Sequence, residues 1–145
     1  MKSKQPEPTI QVGVGIYVIK NGTHLLLQER IASHGSGVYA GAGGHMEYME
    51  SFTDTTLREL AEECGPQLKV TKPEFVCLMN LTEYAPKHYV HISMTCNWIS
   101  GDPKVMEPDK TASWDWYPLD NLPQPLFAST VESLEALKTG KRFFE

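Results

Sequence analysis

Residues Gly44–Pro66, which read GHMEYMESFTDTTLRELAEECGP, decide how this chain folds and carry most of its candidate chemistry. The stretch begins in the glycine pair formed with Gly43 and continues into a segment of helical character. Ser51 stands three residues before Asp54, as in a capping box, and Gly65 followed by a proline is a stop signal. The pattern therefore predicts a short helix between these two signals.

The predicted helix has two chemically different faces. At about 100° per residue, one face gathers the side chains that we expect to be buried, namely Leu57, Leu60, Ala61 and Cys64. The opposite face gathers three carboxylates, Glu59, Glu62 and Glu63. Like charges one turn apart destabilise an isolated helix, and no lysine or histidine lies within this one. A hard cation that takes oxygen ligands, Mg²⁺ above all, is the simplest compensation.

A glutamate-rich helix face is usually only solvated surface, and this is the alternative interpretation of the three carboxylates. Here the glycine pair and Glu50 stand at matched spacing before the acidic helix, and the whole spacing is Gly-x5-Glu-x7-Arg-Glu-Leu-x-Glu-Glu-x-Gly. This spacing resembles the signature box of the Nudix (MutT-type) hydrolases, which cleave nucleoside diphosphates linked to another group. Three positions depart from the commoner family form, and they are Ala42, Met49 and Pro66.

The resemblance implies a Nudix α/β/α sandwich around a mixed β-sheet, whereas periodicity alone indicates only a mixed α and β (α+β) chain. It implies metal binding by the carbonyl of Gly43 and the carboxylates of Glu59, Glu62 and Glu63. Glu59 also matches the position of the general base in some members, and the identity of the base stays open. Arg58 and Glu50 match a supporting ion pair. Glu107 is a candidate for one further acidic ligand. The alternative, that it is only a solvated charge in a loop, has at least equal weight.

Five residues outside the box are candidates for substrate binding. Gly13 and Gly15 remove side chains from one face of a strand, which favours either close ligand approach or tight packing. Arg30, in a loop with His34, is placed to contact phosphate or base. An aromatic pocket for a base is expected at Tyr39 or Phe127.

The rest of the chain reads as strands and one more helix. Ile10–Ile19 and His24–Gln28 should form an antiparallel pair around the turn at Asn21–Gly22. Further predicted elements are strands at Phe75–Leu81, His88–Ser100 and Ser113–Tyr117, and a helix at Thr130–Lys138 with Val131, Leu134 and Leu137 inward. We expect a flexible N-terminal tail over residues 1–9 and a single domain over residues 10–145.

Composition and charge restrict the kinds of molecule that the chain is expected to bind and the compartment in which it is expected. The chain has 145 residues and a formal charge of −5, which argues against a duplex nucleic-acid surface. Three separated cysteines without a CxxC pair predict reduced core thiols. No stretch approaches the apolar length of a membrane span, so no membrane partner is expected and a cytoplasmic location is the default.

The leading hypothesis is a Mg²⁺-dependent pyrophosphohydrolase, with Mn²⁺ as the alternative ion. The segments HYVHIS, EPDK, SWDWY and LPQPLF resemble the nucleotide-pool group of MutT-like diphosphatases, which cleave (deoxy)nucleoside triphosphates, some oxidised at guanine, to monophosphate and pyrophosphate. Members of that group often form homodimers. The alternatives are another diphosphate substrate (a dinucleoside polyphosphate, a nucleotide-sugar or a prenyl diphosphate) or a catalytically silent domain that binds a nucleotide.

Overall fold

The computed structural model describes residues 7–31 and 37–145, so the first six residues of the expected tail and His34 lie outside the described part. In chain order the elements are β1 (Ile10–Lys20), β2 (His24–Arg30), β3 (Tyr39–Ala40), β4 (Ala42–His45), α1 (Phe52–Cys64), β5 (Lys69–Val70), β6 (Glu74–Leu81), β7 (His88–Ser100), β8 (Thr111–Pro118), α2 (Ala128–Thr139) and β9 (Phe143–Phe144). The predicted strands and both helices are confirmed, with ends that move by one or two residues.

The described strands form one mixed sheet, and its centre is the parallel pair β1 and β7. The expected hairpin of β1 and β2 is confirmed only next to its turn, where Ile19 pairs with Leu25 and Lys20 pairs with His24. Beyond that point β1 pairs with β4 instead, while β2 pairs with β3 and β8. The sheet is therefore split between β1 and β2, and the glycine strand β4 lies in the split.

The two helices cover opposite faces of β1. Leu60 and Cys64 of α1 share a buried cluster with Val14 and other alternate residues of that strand. Tyr17, which points to the other face, belongs to a second cluster that includes Leu134 of α2. This arrangement confirms the α/β/α sandwich. Neither helix in the described ranges is long and apolar enough to cross a bilayer.

The predicted buried faces of the helices are partly wrong. Leu57 is 42% exposed, whereas Glu59, expected on the outer face, is only 9% exposed. In α2, Leu134 is partly buried as expected, but Val131 and Leu137 are exposed. Polar contacts explain the second difference, because α2 turns a row of small polar residues, Ser129, Thr130 and Ser133, towards the sheet.

All three cysteines are buried free thiols, as the sequence predicts. Burial raises the pKa of each thiol above its ordinary value, to about 12 for Cys96. Cys64 lies at the last position of α1, so one of the three thiols reports directly on the packing of the acidic helix.

Candidate active site

The predicted capping signals position α1 against the glycine strand. The Ser51 hydroxyl accepts a hydrogen bond from the backbone N–H of Asp54 at 3.0 Å, and the N–H of Gly65 closes the helix on the carbonyl of Ala61 at 3.0 Å. Met49, which stands where glycine is usual, takes a left-handed conformation with φ 67°. The loop therefore keeps the backbone geometry of a glycine at that position, at a steric cost of roughly 1–2 kcal/mol.

Arg58 connects the loop to the acidic face of α1. Its guanidinium donates two hydrogen bonds to the carboxylate of Glu50, from Nε at 2.7 Å and from Nη2 at 2.9 Å. Nη1 also donates to Glu59 at 2.9 Å and to Glu62 at 3.2 Å, and Nη2 donates to the carbonyl of His45 at 2.9 Å. The pair expected from the family resemblance is thus the centre of a network that ties β4, the loop and the helix together.

Replacing Arg58 by lysine should lower kcat/KM by roughly 10- to 100-fold, although the charge is kept. An ammonium group cannot reproduce the forked contact with Glu50 while also reaching the His45 carbonyl, so the orientation of the acidic face is lost. Steady-state kinetics on the two proteins measure the effect, with Arg142→Lys as the control outside the network. Activity equal to that of the wild type would contradict a positioning role for this arginine.

Two glycines of β4 allow α1 to approach the sheet very closely. A Cβ atom added at Gly44 would lie 2.1 Å from the carboxyl carbon of Glu59. The backbone N–H of Gly43 donates to Oε2 of Glu63 at 3.2 Å. The space left by the missing side chain of Gly44 is therefore where the Glu59 carboxyl group lies, and this explains why Glu59 is buried, whereas Gly43 lies close to the Val14 carbonyl of β1 and holds Glu63 through its N–H.

The acidic face is electrostatically uncompensated on one side. Burial, and to a smaller extent the like charges of Glu59 and Glu107, raise the pKa of Glu63 to about 8. The hydrogen bond from the Gly43 N–H lowers this pKa but is outweighed. Burial also raises the pKa of Glu59, although Arg58 opposes the shift. By contrast, the hydrogen bonds from Arg58 lower the pKa of Glu50 to about 2. The positive charge of Arg58 thus compensates Glu50, whereas Glu59 and Glu63 lack a positive partner strong enough to offset their burial.

The residues present fit a hard divalent cation. The donor set consists of oxygen atoms, which suits Mg²⁺, and the repulsion among Glu59, Glu63 and Glu107 is what such an ion relieves. Within the described ranges, no three acidic, histidine or cysteine side chains already converge on one point. Arg58 holds Glu59 and Glu62, and Gly43 holds Glu63, so these carboxylates are engaged by protein donors instead.

A cavity of about 810 Å³ opens beside the acidic face and extends over β1 and β7. Four of the five predicted substrate residues line it, namely Gly13, Gly15, Arg30 and Phe127. The guanidinium of Arg30 lies 4.3 Å from the centre of the Phe127 ring, so that ring is covered on one side. Tyr39 is placed elsewhere, because its ring packs edge-on against Tyr117 at 5.7 Å, and it does not line the cavity.

The cavity also contains Glu107, the candidate further acidic ligand, together with residues outside the predicted site. Glu107 and Lys110 lie at its acidic end, joined by an ion pair of 3.4 Å, and Ser129 and Thr130 enter from the start of α2. His91 lies on the wall formed by β7. The sequence contained one signal for this histidine, the glycines at alternate positions of β1, but only the register between β1 and β7 brings them together.

The burial of His91 should make the protein sensitive to mild acid. Burial lowers the pKa of its ring from 6.5 to about 4, so between these values the unfolded chain binds a proton that the folded one does not. The free energy of unfolding should therefore fall as the pH drops from about 6.5 to 4, by roughly 3 kcal/mol at most. Urea unfolding at several pH values measures this, and His91→Leu should lose this contribution. A wild-type minus variant difference that stays constant over this range would contradict the assignment.

Comparison with known proteins identifies the family to which this fold belongs. The family model described as NUDIX domain matches residues 9–137. A MutT NUDIX hydrolase from Burkholderia pseudomallei has 29% sequence identity and a TM-score of 0.80, with 89% of this chain and 98% of that chain covered. The MutT protein from Methanosarcina mazei Go1 shares the fold at 19% identity and a TM-score of 0.74, covering 95% of this chain and all of the other.

A third structure is the NUDIX domain of Shewanella oneidensis NrtR complexed with ADP ribose, at 19% identity and a TM-score of 0.64, with 92% of this chain and 88% of that chain covered. The family match and the similarity to the Burkholderia pseudomallei structure define the class as MutT-like Nudix hydrolases. Since the family model covers most of the sequence, the chain belongs to the NUDIX family. It is a Nudix hydrolase that acts on a nucleoside diphosphate derivative.

Proposed function

We propose that the protein is a Mg²⁺-dependent pyrophosphohydrolase that cleaves a (deoxy)nucleoside triphosphate, such as one with a modified purine, to monophosphate and pyrophosphate. The observation that carries the proposal is the cavity, which connects the carboxylates of Glu63 and Glu107 to a chamber over β1 and β7. A polyphosphate at the acidic end leaves room for a nucleoside in the same cavity. The relatives named above support a nucleotide as the class of substrate.

The bound ion would be held by Glu59, Glu62, Glu63 and the carbonyl of Gly43, with Glu107 as a further candidate. When bound, it would polarise the phosphoryl oxygens and increase the acidity of water. Water adds to one phosphorus atom, the bridging P–O bond breaks, and a carboxylate takes the proton that the water loses. Glu63, which lines the cavity, and Glu59, one turn earlier on α1, are the candidates for this base.

The remaining residues position these groups. Arg58 and Glu50 hold the helix against the loop, as their direct hydrogen bonds indicate. Arg30 brings a positive charge to the cavity wall, where it can pair with a phosphate. Burial lowers the pKa of Arg30, and Tyr84 and the carboxylate of Glu63 oppose that shift.

A substrate panel tests the proposal. Purified protein with Mg²⁺ is given nucleoside triphosphates with normal and oxidised bases, dinucleoside polyphosphates, nucleotide-sugars and geranyl diphosphate, and the products are identified in each case. We expect the highest kcat/KM for a nucleoside triphosphate, with pyrophosphate as the second product. A preference for another diphosphate would replace the proposed substrate, and the absence of turnover with every compound would favour a silent nucleotide-binding domain.

A further inference from the structure

One polar atom in the wall of the cavity has no hydrogen-bond partner. Among the described residues, the buried side-chain atoms without a partner are Nε2 of His91 and Nε1 of Trp116. Trp116 lies away from the cavity, in a shallow depression beside Lys20, whereas His91 lines the cavity. Leaving a buried polar atom unpaired costs about 1–3 kcal/mol, so an apolar residue at this position would be favoured if packing were its only role.

The sheet is built to hold the His91 ring over β1. His91 is aligned with Gly13 in the parallel pair of β1 and β7. A Cβ atom added at Gly15 would lie 2.5 Å from Nε2, and one added at Gly13 would lie 3.4 Å from Nδ1. A side chain at Gly15 would therefore collide with the ring. The alternate glycines open the space into which the imidazole extends.

The position of this ring relative to the acidic end follows from the sheet register. Gly43 of β4 pairs with Gly15 of β1, whereas His91 of β7 pairs with Gly13, so the backbones of Gly43 and His91 are two strand spacings and two residues apart, roughly 12 Å. A polyphosphate held beside Glu63 would thus place the attached organic group over the two glycines. That group would meet the His91 ring at the far wall, where a turn of the ring about its Cβ–Cγ bond would bring Nε2, which is closed to water in the free protein, into contact with it.

We propose that His91 is a specificity-determining residue, whose Nε2 forms a hydrogen bond with a polar heteroatom on the edge of the nucleobase. This inference rests on the proposed function. It assigns a role to a residue that lies outside both the signature box and the acidic helix. The contact supplies the missing partner of Nε2 when the substrate binds. A prenyl or other hydrocarbon group in the same place would leave the nitrogen unpaired, so the site selects against it.

The charge of the ring favours a base over a phosphate as its partner. Burial lowers the pKa of His91 to about 4, so the imidazole is neutral at pH 7 and offers a hydrogen bond without a positive charge. Phosphate is better served by the cationic side chains of Arg30 and Lys110, which line the cavity. A carbonyl oxygen or an unprotonated ring nitrogen of a base accepts a hydrogen bond from the tautomer protonated at Nε2, and an amino group donates one to the tautomer protonated at Nδ1.

Kinetics with three variants and two substrates test the proposal. The substrates are the nucleoside triphosphate that the wild type cleaves best and the corresponding deoxyribose triphosphate, which lacks the base. His91→Leu should lower kcat/KM for the nucleotide by about 10- to 100-fold and leave the base-free compound within about two-fold. His91→Gln, which keeps a donor and an acceptor, should recover part of the loss. His24→Leu, at the distant hairpin, is the matched control.

Equal losses on both substrates, or no loss on the nucleotide, would overturn the role of His91. Failure of the wild type to cleave either compound with Mg²⁺ would instead overturn the proposed function. The role of His91 is then decided by calorimetric titration with the nucleoside monophosphate in the absence of metal. Weaker binding to His91→Leu than to the wild type supports the contact, and equal affinity overturns it.

Discussion

Replacing Glu63 by glutamine should lower kcat by roughly 10³-fold or more while the protein stays folded. Glutamine keeps the shape of the side chain and can still accept the hydrogen bond from the Gly43 N–H, so β4 and α1 should remain in contact. What is lost is a carboxylate charge at the acidic end of the cavity. Electrostatic stabilisation worth several kcal/mol disappears with it, and about 4 kcal/mol corresponds to this change in rate.

The experiment measures pyrophosphate release at saturating Mg²⁺ together with the melting temperature of each protein. Glu59→Gln is made in parallel, and its loss should be of similar size. Glu135→Gln, on the exposed face of α2, is the matched control, because it removes the same charge outside the cavity. Turnover unchanged in both site variants would show that the acidic face of α1 is not the catalytic centre.

Replacing Gly44 by alanine should lower kcat/KM by roughly 100-fold with only a small change in stability. The added methyl group would collide with the Glu59 carboxyl group, which is the end of a flexible side chain and can move at low cost. The movement displaces Glu59 from its contact with Arg58 and from its position beside Gly44. A misplacement of about 1 Å in a catalytic group is enough for a loss of this size.

Gly22→Ala is the matched control for this substitution. That glycine lies in the turn between β1 and β2 with φ 70°, and nothing lies within 4 Å of an added Cβ atom. The control should therefore lose some stability through backbone strain and keep its activity, the opposite of the Gly44 variant. If Gly44→Ala instead unfolded and retained the specific activity of its folded fraction, the close approach of helix and strand would be purely structural.

Local sequence signals were sufficient for the helix that carries the site. Ser51 and Gly65 mark its ends because capping depends on residues within a few positions of each other, and the structure has both contacts. The pair of Arg58 and Glu50 could likewise be recognised from spacing and from the family resemblance. In each case the decisive interaction spans fewer than ten residues.

The remaining features depend on contacts between distant parts of the chain. Helical periodicity placed Glu59 on the outer face, because the pattern cannot show that Gly44 leaves a space for its carboxyl group. The hairpin signal at Asn21–Gly22 was correct, but the separation of β1 and β2 beyond it depends on the competing partners β4 and β7. The position of the His91 ring over the β1 glycines could be seen only from the register between β1 and β7.

The burial of the three thiols has a practical consequence for testing all of these variants. A thiol reagent such as 5,5′-dithiobis(2-nitrobenzoic acid) reacts with exposed thiolates, so Cys64, Cys77 and Cys96 are shielded while the native packing holds. The rate at which these native thiols are labelled then measures how fast the structure opens, and no cysteine has to be introduced. A variant that is inactive but labels as slowly as the wild type has lost chemistry alone, while rapid labelling of Cys64 reveals that the acidic helix has come away from the sheet.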